Sequence, residues 1–218
     1  MKTELDIIAQ AGLRYFGRTT ASISHELKNA LAIIRENAGL MDDYLAMAEK
    51  GLPIDMAKFK VLTGRIEGQT RRADGLIKNM NRFAHSVDEP LRKVNLNEMV
   101  ELLAALSHRE AAMRQVGLQV AQCQQPVVLV TAPYLLLTLL GHCLTYALTA
   151  VNAGGTIILK VQGDTPGAIV FESLNRLAAL PPDAFPDERV TVLAEALGAH
   201  YQADSAAGKV GLTLKNLQ

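Results

Sequence analysis

The sequence has no surplus of either charge. Its 218 residues hold 22 Lys and Arg against 22 Asp and Glu, for a formal net charge of zero. That argues against a nucleic-acid binder, which relies on a basic face to displace counterions from phosphates. Long apolar runs are also missing. The most apolar stretch, Tyr134 to Leu140, falls far short of the about 20 residues a membrane-spanning helix needs. The opening segment, MKTELDIIAQAGLRYFGR, contains no uninterrupted apolar core of signal-peptide length. The expectation is therefore no nucleic-acid partner, no membrane partner and a cytoplasmic location. Only two cysteines occur, Cys123 and Cys143. Their apolar surroundings and unpaired spacing predict buried core thiols in a reducing compartment rather than a disulfide. Internal repeats and low-complexity segments are absent. A zinc-protease His-Glu-x-x-His motif would need a second histidine where Asn29 stands, and no glycine pattern marks a hydrolase nucleophile elbow. His85, His108, His142 and His200 lack ligand-like spacing, so no metal site is expected.

What is present is an ordinary globular composition, 49% hydrophobic and 20% charged, in a chain long enough for one large domain or two modest ones. The first part reads as two long helices. Leu27, Leu31, Ile34, Ala38, Met41 and Leu45 recur at spacings of four and three, a heptad seam. Gly51-Leu52-Pro53 breaks the helix. A second seam runs through Phe59, Leu62, Ile66, Gln69, Ala73, Leu76, Met80, Phe83 and Val87. A short turn between two such helices predicts an antiparallel hairpin. One hairpin buries only one side of each seam, so two are expected to pair as a homodimeric four-helix bundle.

After the linker Ser86-Val87-Asp88-Glu89-Pro90 the pattern changes. Asn95-Leu96-Asn97-Glu98 has the form of a helix start, followed by an apolar face at Leu96, Met99, Val100, Leu103 and Leu106. Strands are predicted at 117–120, 127–130, 156–161, 168–171, 201–203 and 210–214. A buried helix is predicted over 133–151, a turn at 163–167, and a further helix over 188–197. The expected fold class is α+β: a helical hairpin over residues 1–88, then an α/β sandwich over 93–218 with helices on one face of its sheet.

His25 is the candidate functional residue. At about 100° per residue, Leu27 lies roughly 200° around the helix from His25, and the rest of the seam lies within roughly 40° of Leu27. The imidazole therefore points away from the seam, toward solvent or a partner. A histidine that accepts a phosphoryl group needs an accessible neutral ring nitrogen. It gains from a carboxylate that fixes its tautomer or takes its proton. Glu26 follows directly, and Lys28 and Asn29 lie one turn on. Lys28 could balance phosphate charge, and Asn29 could orient a water or a phosphoryl oxygen. On residue types alone, a solvated polar helix face accounts better for these three.

Ser24-His25-Glu26-Leu27-Lys28-Asn29, followed by Leu31-Ala32-Ile33-Ile34, resembles the H-box of sensor histidine kinases, on the first helix of their dimerisation and phosphotransfer hairpin. Ala30 departs from it, standing where that family usually has a proline. The resemblance implies that His25 is phosphorylated, that Glu26 is its acid/base partner, and that Asn29 occupies the position tied to dephosphorylating the partner. It extends through 93–218, which looks like that family's ATP-binding domain, with Val94 to Glu98 at its entry and Leu135 to Val151 as its N-box helix. The nucleotide-binding parts are missing, however. Tyr146 replaces the Mg²⁺-binding asparagine, with His142 one turn earlier. Phe171-Glu172 runs into Ser173-Leu174-Asn175-Arg176 instead of a glycine-rich adenine loop. Residues 177–187 are short, proline-rich and free of glycine where a phosphate loop and lid belong. No ATP or other cofactor is expected.

No sensor region is expected ahead of the hairpin and no receiver domain behind it. A chain that keeps the phosphoacceptor hairpin but not the nucleotide site looks like the dimeric histidine phosphotransferases, phosphoryl carriers whose second domain is a degenerate kinase domain. The partners this implies are response-regulator receiver domains, which would bring their own Mg²⁺, together with a hybrid histidine kinase. Two alternatives stand beside this reading. One is a pseudokinase scaffold that binds a kinase or receiver without carrying phosphate. The other is a divergent ATP-dependent histidine kinase.

Overall fold

The structure is a computed structural model that describes residues 3–123, 125–163, 166–181 and 185–217. The chain is α+β, with two long helices ahead of a mixed sheet. It divides into two compact units, one formed by residues 20–81 and the other by residues up to Thr19 together with those from Arg82 onward. The predicted turn at 163–167 includes Asp164 and Thr165, and the predicted proline-rich stretch includes residues 182–184. Both of these lie outside the described residues.

The two helices are α1 (Glu4–Glu49) and α2 (Met56–Ala84). The start of α1 is a capping box, in which the Asp6 amide donates to Thr3 Oγ1 at 3.2 Å and the Thr3 amide donates to Asp6 Oδ2 at 3.0 Å. The helix ends at the predicted Gly51 turn. Gly51 takes φ +78°, its amide donates to the Ala48 carbonyl, and the Leu52 amide donates to the Met47 carbonyl. This paired closure needs a left-handed residue, which glycine supplies without Cβ strain, and Pro53 then bars continuation. Asp55 caps α2, its Oδ1 accepting from the Ala57 amide at 3.0 Å.

In the larger unit, a five-stranded sheet runs in the order β2 (Gly117–Val120), β4 (Thr156–Gln162), β5 (Gly167–Glu172), β7 (Lys209–Leu214), β6 (His200–Asp204). β2 and β4 are parallel and the remaining pairs antiparallel. Period-two alternation buries one face: Ile157, Leu159 and Val161 on β4, Ile169 and Phe171 on β5, Val210, Leu212 and Leu214 on β7. Register lines up Leu159 with Phe171 and Phe171 with Val210 across the sheet. The helices of this unit are α3 (Leu96–Met113), which packs on the sheet, α4 (Pro133–Thr149) and α5 (Glu188–Ala196). Asn95 caps α3 as its sequence predicts, with Oδ1 accepting from the Asn97 amide at 3.0 Å, and Pro133 opens α4.

Two expectations are corrected. The predicted strand near 127–130 does not join the main sheet. As β3 (Val128–Thr131) it pairs antiparallel with β1 (Arg92–Asn95), a strand the pattern did not predict. The reason is that a four-residue apolar segment carries no information about which partner it will meet. Cys143 is buried as expected, but Cys123 is exposed, its thiol donating to the Gln125 carbonyl. Its polar glutamine neighbours leave it outside the core.

The first turns of α1 pack within the larger unit. Tyr15 is 3% exposed and lies edge-on to Phe83, 5.6 Å between centroids. Phe16 stacks on the same Phe83. The Tyr134 hydroxyl donates to the Gly12 carbonyl, and Tyr15 lies directly against Gly141 of α4. No described helix is long and apolar enough to cross a membrane.

Candidate functional site

Within the hairpin unit, α1 presents His25, Lys28 and Asn29 to solvent. Glu26 is turned inward, and only 6% of it is exposed. Arg72 reaches it from α2, with Nη2 3.0 Å from Glu26 Oε2. The His-Glu pair thus combines an accessible imidazole with a buried, ion-paired carboxylate. Lys28 and Asn29 accompany His25 on the exposed side of the helix, one turn toward its C-terminus.

The seam predicted for the first helix is buried only in part: Leu27, Ile34 and Met41 are half-buried, and Leu31, Ala38 and Leu45 are exposed. The buried α1 residues in this unit are Ile23, Glu26, Ala30 and Asn37, whereas Leu31 is 59% and Leu45 48% exposed. The two stripes lie roughly 70° apart around the helix. Both keep the heptad period, and period alone does not say which stripe faces α2. On either stripe His25 points away. The predicted α2 seam contains the buried Leu62 and the half-buried Phe59, Ile66, Gln69, Ala73, Leu76 and Met80. Asn37 donates through Nδ2 to the Ile33 carbonyl at 2.7 Å, which leaves its Oδ1 buried without a partner. Gln69 Oε1 is buried and unpartnered as well. Polar groups at such positions lower stability and specify register.

Arg72 is a residue that sequence reasoning missed. Its signal was the antiparallel register about the Gly51 turn, which sets residues near 72 opposite residues near 26. Charge alone did not single it out, because α2 also carries Arg71, Lys78 and other cations.

In the larger unit, Tyr146, which stands at an expected nucleotide-binding position, has another partner. The Tyr146 ring stacks on Phe185 at 4.4 Å between centroids and 11° between planes, and Tyr201 meets Phe185 edge-on. Burial pushes the Tyr146 phenol above its ordinary value. One turn earlier, His142 Nε2 is buried with no hydrogen-bond partner. Burial lowers the His142 pKa and the Arg189 charge adds to that, against an opposing pull from Asp187. Burial alone would raise the Asp187 pKa. It is lowered nonetheless, because its carboxylate accepts from the Val190 amide at 2.9 Å and from Arg189 Nη2 at 2.6 Å. The same carboxylate caps α5.

The segment after β5 is pinned by its backbone. Leu174 N–H donates to the Gly208 carbonyl at 3.0 Å and Arg176 N–H to the Ala150 carbonyl at 2.8 Å. The Asn152 amide donates to Asn175 Oδ1 at 3.2 Å. α4 itself contains no Asp, Glu, Asn or Gln. α4 therefore offers a hard cation no carboxylate or carboxamide oxygen, and an aromatic stack takes up the side chain of Tyr146. Among the described residues, no group of three or more His, Cys, Asp or Glu could hold a metal ion.

No protein-family model and no curated protein matches the sequence. Similar solved structures include the histidine kinase AdeS of Acinetobacter baumannii, 11% identical, covering 89% of this chain and 98% of that one at a TM-score of 0.47. A histidine kinase from Burkholderia phymatum is 14% identical over 92% of this chain and 96% of its own, at 0.45. The ATP binding domain of PrrB from Mycobacterium tuberculosis is 14% identical over 60% of this chain and 100% of its own, at 0.47. Likeness at this level assigns no activity. The chemistry rests on this chain's own residues.

Proposed function

We propose that this chain is a phosphorelay histidine phosphotransferase that carries a phosphoryl group on His25 between the aspartates of two receiver domains and does not use ATP. The observation that carries the proposal is the exposed His25 beside the buried, Arg72-paired Glu26 on a helical hairpin. The Tyr146–Phe185 stack supports the ATP-independent part. In the forward step, a neutral imidazole nitrogen attacks the phosphorus of an aspartyl phosphate. The P–N bond forms as the P–O bond to aspartate breaks, and the aspartate leaves as a carboxylate. The proton on the other ring nitrogen is stabilised or taken up by Glu26. A second receiver aspartate reverses these steps. Mg²⁺, held by the receiver, supplies charge neutralisation at the phosphoryl oxygens, Lys28 adds a cation on the same helix face, and Asn29 orients the phosphoryl oxygens or a water.

A second copy of the chain is the proposed partner of the exposed apolar stripe on α1, which includes Leu31 and Leu45. Two hairpins sharing that stripe make the four-helix bundle. Receiver domains, one of them on a hybrid histidine kinase, are the proposed phosphoryl donors and acceptors.

The test phosphorylates candidate receivers with a cognate kinase, adds wild-type protein or His25→Ala, and follows acid-labile label. Label on the wild-type chain alone, passing on to a second receiver, is the expected result. No label on either protein and identical effects of both on the receivers would establish the scaffold reading instead. Stoichiometric self-labelling of His25 from Mg²⁺-ATP would make the chain a kinase.

A further inference from the structure

Arg72 differs from its neighbours on α2. Arg71–Glu67 and Lys78–Asp74 are i,i+4 pairs along the helix surface, with carboxylate side chains 68% and 61% exposed. Exposed pairs of this kind contribute little. Arg72 instead crosses to the other helix, 46 residues away in sequence, and holds a carboxylate whose side chain is 8% exposed. A buried carboxylate is retained in its charged form only where a cation and hydrogen bonds compensate it. Arg72 itself is 49% exposed, so it keeps about half of its own hydration while it anchors Glu26.

The residue so anchored directly follows His25. A base that serves a nucleophile works best when a third group orients it, and side-chain placement to a fraction of an ångström decides its contribution. Arg72 engages Oε2, which sets the rotation of the whole carboxylate and therefore the direction of its other oxygen. We infer that Arg72 is a positioning residue for phosphoryl transfer at His25, acting through Glu26 and not through the receiver. This assignment rests on the phosphotransferase reading above.

The test measures transfer from a phosphorylated receiver as a function of receiver concentration for wild type, Arg72→Gln, Arg72→Lys, Glu26→Gln and the Glu26→Gln/Arg72→Gln double variant. Arg72→Gln should lower the saturating rate roughly 10- to 100-fold, with the half-saturating receiver concentration unchanged. Arg72→Lys should recover most of the rate. In the Glu26→Gln background, Arg72→Gln should cost nothing further, because the group it acts through is already gone. The double variant also leaves no uncompensated buried charge, so it and Arg72→Lys decide the matter if Arg72→Gln alone fails to fold. Three outcomes would overturn the inference: Arg72→Gln transferring at the wild-type rate, losses that multiply in the double variant, or a raised half-saturating concentration with an intact saturating rate. A wild-type chain that takes no label removes the phosphotransferase reading itself and this assignment with it. A labelled wild type alongside an indifferent Arg72→Gln removes only the assignment.

Discussion

Gly141→Ala is expected to destabilise the larger unit by displacing Tyr15. Gly141 lies in the middle of α4, where glycine is a poor helix residue, and replacing it with alanine in open space would stabilise the helix by about 1 kcal/mol. The space at Gly141 is not open. A Cβ there would overlap Tyr15 Cε2 and come within 2.8 Å of Cζ and 2.9 Å of Cδ2. Tyr15 has nowhere to retreat, being 3% exposed and edge-on against Phe83. Overpacking of this kind costs about 1–3 kcal/mol, which offsets the gain in helix propensity or exceeds it. Gly17 provides the control, since it lies in α1 with nothing within 4 Å of its added Cβ. Gly17→Ala should therefore stabilise by about 0.5–1 kcal/mol. For a chain of this size, each kcal/mol moves the melting temperature by about 2–4 °C. The two variants should thus differ by several degrees in calorimetry, with a matching order of urea midpoints. Tyr15→Leu should recover stability in the Gly141→Ala background, a non-additivity expected of touching side chains. If Gly141→Ala proves as stable as Gly17→Ala, the packing of the first turns of α1 on α4 is wrong.

Two further outcomes follow from the same structure. His142 has its pKa lowered from 6.5, chiefly by burial, so folded and unfolded chains both hold it neutral above that pH. Below about pH 6.5 the unfolded chain takes up the proton first, and stability falls with pH until the folded value is passed. Urea midpoints from pH 7.5 to 5.5 should show this slope in the wild-type chain. His142→Gln should flatten it; an equal slope in the variant would place the titration elsewhere. On the proposed pairing of hairpins, light scattering should give twice the chain mass for the wild-type protein, and Leu31→Asp with Leu45→Asp, which places two carboxylates on the exposed stripe of α1, should lower it to one with helicity retained. A variant still at twice the chain mass would mean that the second copy docks elsewhere.

Much of the architecture is legible in local chemistry. Asn95 and Pro133 start helices where capping and φ preferences say they should, Gly51 and Pro53 stop one, and alternation on β4, β5 and β7 marks the buried face of a sheet. All of these signals act over a few residues, so a window of sequence contains them whole. The candidate site is legible in part. The accessibility of His25 follows from helix phase, and it holds for either of the two stripes on α1. The burial of Glu26 does not follow, because a glutamate between a histidine and a leucine reads as solvated until a cation from another helix is brought to it.

The sequence by itself determined that this chain is α+β, that a long-helix hairpin precedes the sheet, and that His25 faces outward from its helix. Those outcomes depend on period, caps and turns, which are properties of neighbouring residues. The tertiary structure alone decided which stripe of α1 is buried within the chain, that β1 and β3 leave the main sheet, that Tyr15 lies against Gly141, and that Arg72 holds Glu26. Each of these depends on a contact between residues far apart in sequence. The free energy of such a contact comes from shape and burial at the meeting point, and neither segment carries that information alone.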